Sequence, residues 1–93
     1  MSLDGKVAII TGAGGGFGRA FCSSILKAGA NVLALDVNTK NLSIIEAENH
    51  KFGKSKLLTQ TVDIADFLAC QAAIEKGLNY FGQIDILINN AGL

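Results

Sequence analysis

The residues with the clearest chemical consequence in this chain are glycines. Val7-Ala8-Ile9-Ile10-Thr11-Gly12-Ala13-Gly14-Gly15-Gly16-Phe17-Gly18 reads as a short apolar strand that runs into glycine and then opens a helix. No side chain there offers a phosphate contact, so an anion bound at this place is held by backbone amides. A strand end, a turn without Cβ atoms and a helix N-terminus together expose several N–H donors and the positive end of a dipole. A dinucleotide pyrophosphate suits such a cradle. Five glycines within seven residues also exceed what a tight strand-to-helix turn requires.

A carboxylate extends the pattern. Asp36 lies 24 positions after Gly12, close to the interval of about 20 expected for a ribose-binding acid. It can accept hydrogen bonds from the adenosine 2′- and 3′-hydroxyls, and it repels a 2′-phosphate. The cofactor this implies is NAD, not NADP. A solvated carboxylate at a strand end is the plainer alternative.

Strands and helices alternate around these residues, with no linker, repeat or low-complexity run between them. Apolar, β-branched runs predict strands at 6–11, 31–36, 56–62 and 84–89. Helices are predicted at 17–28, at 39–49, and from near Asp66, a candidate N-cap, to Phe81. Gly29, Gly53 and Gly82 close the three helical segments. Phe17, Phe21, Ser24 and Ala28 share one stripe of the first helix, beside Cys22 and Ile25, so Phe17 reads as its first core residue. The second helix presents Leu42, Ile45 and Glu46. The third carries Phe67, Cys70, Ile74, Leu78 and Phe81 at spacings of 3, 4, 4 and 3.

This alternation implies an α/β fold with a parallel sheet and right-handed crossovers. The expected architecture is a Rossmann-type doubly wound sheet of about four strands in the order 3-2-1-4, with three helices. The first two helices then cover one face and the third begins to cover the other. Ile84-Asp85-Ile86-Leu87-Ile88 is nearly all apolar, as in a strand buried on both faces, yet it would stand at an edge.

Four landmarks occur in order: Thr11-Gly12-x-x-x-Gly16-x-Gly18, Asp36, Asp63 closing the third strand, and Asn89-Asn90-Ala91-Gly92 closing the fourth. With the opening Gly5-Lys6-Val7-Ala8, they make the whole chain resemble the short-chain dehydrogenase/reductase family, whose signatures are TGxxxGxG and NNAG. The resemblance implies a cofactor site built from Thr11, Gly12, Gly14, Gly15, Gly16, Phe17 and Gly18, then Asp36 and Val37, and Asp63 and Ile64 near the adenine. Asn89, Asn90, Ala91 and Gly92 would belong to the same site, the backbone of Asn89 and Asn90 running along the cofactor with their side chains bracing the sheet. Val37 and Gly15 stand where NADP-preferring relatives often carry a basic residue. Thr11 would tie the glycine turn to the sheet or serve only as a hydroxyl at the helix start. Asp63 could instead begin the turn into the third helix, and Asn89 and Asn90 could be polar turn residues. Arg19 is either solvated or near the pyrophosphate. His50 reads as a surface residue at a helix C-terminus.

The resemblance also implies an activity, the exchange of hydride between NAD and a secondary alcohol or its ketone. The family does this with a tyrosine, a lysine four residues later and a serine. Here the one tyrosine is Tyr80 and position 84 is Ile84, so no Tyr-x-x-x-Lys exists and no catalytic residue is expected within 1–93. The chain reads as an incomplete NAD-binding Rossmann domain, residues 1–93, from the N-terminal half of a homo-oligomeric parent. The alternative is a free-standing, non-catalytic NAD-binding or interaction module.

Composition narrows the remaining classes. With 49% hydrophobic residues, 17% charged and no proline or tryptophan, the chain is too apolar for disorder. A formal charge of zero with scattered basic residues argues against nucleic acid or an anionic membrane as partner. No run approaches the length of a membrane span, and the N-terminus lacks a signal-peptide pattern, so a soluble, cytoplasmic protein is expected. Two cysteines without a CxxC pair and a single histidine make a metal site unexpected. Cys22 and Cys70 fall on helices assigned to opposite faces, which excludes a disulfide between them.

Overall fold

The computed structural model describes residues 2–53 and 56–90. Four strands form one parallel sheet: β1 (Val7–Thr11), β2 (Asn31–Asp36), β3 (Leu57–Thr61) and β4 (Ile86–Asn89). Three helices connect them: α1 (Gly16–Lys27), α2 (Thr39–Glu48) and α3 (Phe67–Phe81). The sheet order is β3-β2-β1-β4, as the sequence implies. β1 sits between its two partners with Ile9 opposite Leu33 on one side and Leu87 on the other. Its five residues, all buried and mostly β-branched or small, suit a central strand packed on both faces.

Alternation along the strands divides the core in two. Ile10, Val32 and Ala34 face α1 and α2, where they meet Cys22, Leu26, Leu42 and Ile45. Ile9, Leu33 and Leu35 face α3 and meet Val62 and Ala73. The two cysteines therefore lie on opposite faces of the sheet, and both are free. Burial pushes the Cys22 thiol up to about 12, helped by the negative charge of Glu48, so this thiol packs as a small apolar group and is not a nucleophile.

α1 and α3 present different faces from those their large apolar residues mark. Phe17, expected as a core residue, is 68% exposed, and it stacks with the exposed Phe21 at a ring separation of 6.5 Å. The buried stripe of α1 is Gly18, Cys22 and Leu26, with Ile25 beside it. The reason is distance. A Cβ on Gly18 would strike the Gly12 carbonyl oxygen and lie 2.7 Å from Ala13 Cα, so the helix begins too close to the turn for a side chain. The same holds on α3, which buries Ala73 and Gly77 and leaves Phe67, Ile74 and Leu78 exposed. A Cβ on Gly77 would stand 2.6 Å from Leu33 Cδ2. Cys70 and Phe81 do turn inward, and Leu42 and Ile45 of α2 are buried as expected.

Caps and strand ends mostly follow the sequence. Asp66 caps α3 by accepting from Ala69 N at 3.1 Å, and Gly82 closes the helix with φ at 85°, a left-handed position suited to glycine. Asn38 caps α2, accepting from Asn41 N at 3.0 Å. His50 lies just past α2, in a short 3-10 turn.

The fourth strand begins at Ile86, two residues later than expected, because the Asp85 side chain takes part in the pairing. Asp85 N donates to Val7 O at 2.8 Å, while Val7 N donates to Asp85 Oδ2 at 2.9 Å. The Val7 N–H, the Gln83 amide and the charge of Lys6 hold the Asp85 carboxyl below its ordinary value.

β4 is an edge of the described sheet, and on the α3 side Leu87 is 65% exposed. α3 also presents Phe67, Leu68, Ile74, Leu78 and Tyr80 to solvent. Exposed apolar edges recruit further strands, and charged residues block them. The isolated chain is expected to self-associate at micromolar concentration, and Leu87→Lys is expected to shift it toward monomer. Sedimentation velocity checks this, and an unmutated chain that stays monomeric contradicts it.

Candidate functional site

In a parallel sheet all C-terminal strand ends share one edge, and among the described residues Thr11, the glycine turn, Asp36, Asp63, Asn89 and Asn90 lie there or in the turns that follow. The turn after β1 needs φ of 61° at Gly12, which glycine adopts without strain. Ala13 N donates to Leu35 O at 3.0 Å, anchoring the turn to β2. Gly15 N donates to Gly12 O at 3.2 Å and closes it. The helix that follows has Gly15 as its N-cap with no side-chain partner, so the cap position leaves backbone donors facing outward.

Asp36 holds the turn from the neighbouring strand. Its Oδ2 accepts from Gly14 N and its Oδ1 from Asn38 N, both at 2.8 Å. The carboxylate is thereby oriented, and each oxygen keeps a further lone pair for another donor.

Thr11 ties β1 to β4. Its Oγ1 donates to Asn89 Oδ1 at 2.9 Å and accepts from Asn90 N at 3.0 Å. Asn90 Nδ2 donates to Gly12 O at 3.1 Å. The hydroxyl therefore joins the turn to the sheet, and the two asparagines do brace the strand ends.

Two adjoining hollows form one groove along this edge. One, about 340 Å³, is lined by Gly12, Gly15, Gly16, Phe17, Asp36, Asn41 and Asn90. The other, about 250 Å³, is lined by Gly12, Asp36, Val37, Val62, Asp63 and Ile64. Gly12 and Asp36 belong to both and mark the middle. Thr11, Gly14, Gly18 and Asn89 do not line the groove. Ala91 and Gly92 lie outside the described residues.

Asp63 does two things. Its Oδ1 accepts from Ala65 N at 2.9 Å and its carbonyl from Asp66 N at 2.9 Å, so it builds the turn into α3 while lining the groove. Arg19 points elsewhere. It forms a two-bond pair with Glu48 at the end of α2, with contacts of 3.1 and 2.5 Å. That pairing raises the Arg19 pKa and lowers that of Glu48. His50 is exposed beside a separate hollow shared with Glu46, Asn49, Gly53 and Leu57. Tyr80 is exposed on α3 and lines no part of the groove. Asn41 does line it, although no spacing in the sequence singled it out.

A family model described as short chain dehydrogenase matches residues 6–93. The chain belongs to the short-chain dehydrogenase family. It is 39% identical over 92 residues to a short chain dehydrogenase/reductase of Macrophomina phaseolina, covering 99% of this chain and 53% of that protein. It is 38% identical over 94 residues to the human 15-hydroxyprostaglandin dehydrogenase [NAD(+)], covering 100% of this chain and 35% of the other. Among solved structures, it is similar to a 3-ketoacyl-(acyl-carrier-protein) reductase from Brucella melitensis complexed with NADH. That match has a TM-score of 0.83 and 38% identity, and covers 92% of this chain and 34% of that one. Other similar structures hold NAD or NADP. The chain thus spans about half the length of the first relative and about a third of the other two.

The Thr11 bridge gives a test that needs no ligand. Thr11→Val keeps the shape but leaves the buried Asn90 N–H without its acceptor. An unmet buried donor costs about 1–3 kcal/mol. Urea unfolding is expected to show a loss in that range, and an unchanged midpoint contradicts the assigned role.

Proposed function

We propose that residues 1–93 form the NAD-binding domain, incomplete in itself, of an oxidoreductase that exchanges hydride between NAD and a secondary alcohol or ketone. One observation carries the reading: a glycine turn, a helix start and an oriented Asp36 carboxylate share the middle of one groove. Two details support the fit of a dinucleotide. A Cβ built on Gly16 meets nothing within 4 Å, so that side of the turn opens onto free space. Asn90 Oδ1 is buried without a hydrogen-bond partner among the described residues and sits at the groove wall.

In this reading the amides around Gly15 and Gly16 meet the pyrophosphate, helped by the dipole of α1. Asp36 and Val37 lie at the adenosine ribose, and Asp63 and Ile64 at the adenine. Gly14 and Gly18 let the backbone and helix approach closely, and Asn89 and Asn90 hold the end of β4 beside the turn. NAD supplies the hydride acceptor when bound. Proton transfer needs an acid/base within about 2.6–3.2 Å of the substrate oxygen. No groove residue is assigned that task, so it falls to residues outside 1–93, and this chain alone is expected to turn over no alcohol.

Cofactor choice follows from the charge of Asp36. A unit charge pair near 4 Å is worth about 4 kcal/mol at an effective dielectric of 20. A third of that corresponds to about tenfold in affinity. Calorimetry with both cofactors is expected to show NAD bound at least tenfold more tightly than NADP. Asp36→Asn, which removes the charge and little volume, is expected to narrow that gap. Equal affinity in the unmutated chain overturns the assignment.

Gly16→Val tests the pyrophosphate. The added side chain meets open space in the folded chain, so the melting temperature is expected to hold while NAD binding is lost. A folded variant with unchanged NAD affinity refutes the placement.

A further inference from the structure

The groove contains one polar side chain that neither the signature residues nor the proposed function has used. Asn41 stands in the first turn of α2, half-buried, and its carboxamide has no hydrogen-bond partner among the described residues. Its backbone is fixed, because Asn41 N donates to the Asn38 Oδ1 cap at 3.0 Å. Its side chain packs closely on Gly14. A Cβ built on Gly14 would collide with Asn41 Cβ, and it would lie 3.3 Å from Asn41 Cγ and 2.8 Å from Asp36 Oδ2. Gly14 is a glycine because both side chains pack against it, and Asn41 and Asp36 line the same hollow of about 340 Å³.

The two groups are chemically complementary. An ionised carboxylate only accepts, and Asp36 already accepts from Gly14 and Asn38. A carboxamide also donates. A hydroxyl placed between them gives its proton to Asp36 and receives an N–H from Asn41 Nδ2, using both of its capacities at once. A methylene there leaves the Asn41 N–H unmet, and a phosphate meets the Asp36 charge.

The geometry points to Asn41 as a second determinant of ligand choice, donating to the adenosine ribose hydroxyl whose proton Asp36 accepts. This rests on the NAD-binding reading and adds a residue to it. It accounts for an unpaired amide in the groove wall, and it makes recognition of the diol a property of two residues on two elements.

The test compares NAD with the NAD analogue that lacks the adenosine 2′-hydroxyl, titrated by calorimetry into the full chain and into Asn41→Ala. One hydrogen bond is worth about fivefold to tenfold. Asn41→Ala is expected to weaken NAD by that factor and to leave the analogue unchanged, with an unaltered melting temperature. Asn41→Asp keeps an acceptor and loses the donor, so it is expected to weaken NAD as well, and NADP further. Equal weakening of NAD and the analogue, or no weakening of either, overturns the role of Asn41 while leaving the dinucleotide reading intact. A folded, unmutated chain that binds no NAD removes both.

Discussion

The hydrogen bond from Gly14 N to Asp36 Oδ2 is the constraint on which the groove depends. It joins the turn after β1 to the end of β2, and the other oxygen of the same carboxylate fixes Asn38, which in turn caps α2. One side chain thus sets the positions of the glycine turn, the strand end and the next helix. In the proposed reading its charge sets ligand choice, and removing its acceptors frees two backbone N–H groups in neighbouring turns. The proposed selectivity and the architecture share the group, so substitutions at position 36 are to be read with a stability measurement beside every affinity.

The family's membership and sheet order were legible because both depend on local signals. β-branched runs, glycine stops and their alternation are properties of short windows, and strand order follows from the handedness of crossovers. The faces of the helices were less legible. Periodicity weighs large apolar residues most, whereas a helix lying close on a sheet or turn needs small ones. Gly18 against Gly12, and Ala73 and Gly77 against Leu33, are such contacts, and their sequence signal is weak. Phe17, Phe21, Phe67 and Leu78 marked the opposite side.

The groove shows the same division. Gly12, Gly16, Asp36 and Asn90 stand at strand or turn positions that a spacing rule can find, and they do line it. Asn41 enters through the direction of α2, which Asn38 sets by capping it, and no motif in a single sequence encodes that direction. Arg19 illustrates the converse. Its place in the first turn of α1 left two fates open, and only the end of α2, 29 residues away, decides for Glu48.

The central place of β1 carries a consequence for how the chain assembles. β1 meets β2 across a separation of 24 residues, as with Ala8 and Val32, but meets β4 only across 78, as with Ala8 and Ile86. Closing the longer loop costs about 1 kcal/mol more in chain entropy, and long-range pairings slow folding. During synthesis from the N-terminus, β1 therefore keeps one flank open until β4 has emerged, 78 residues later. Until then the β4 side of β1, one of the most apolar segments of the molecule, is an open template on the ribosome.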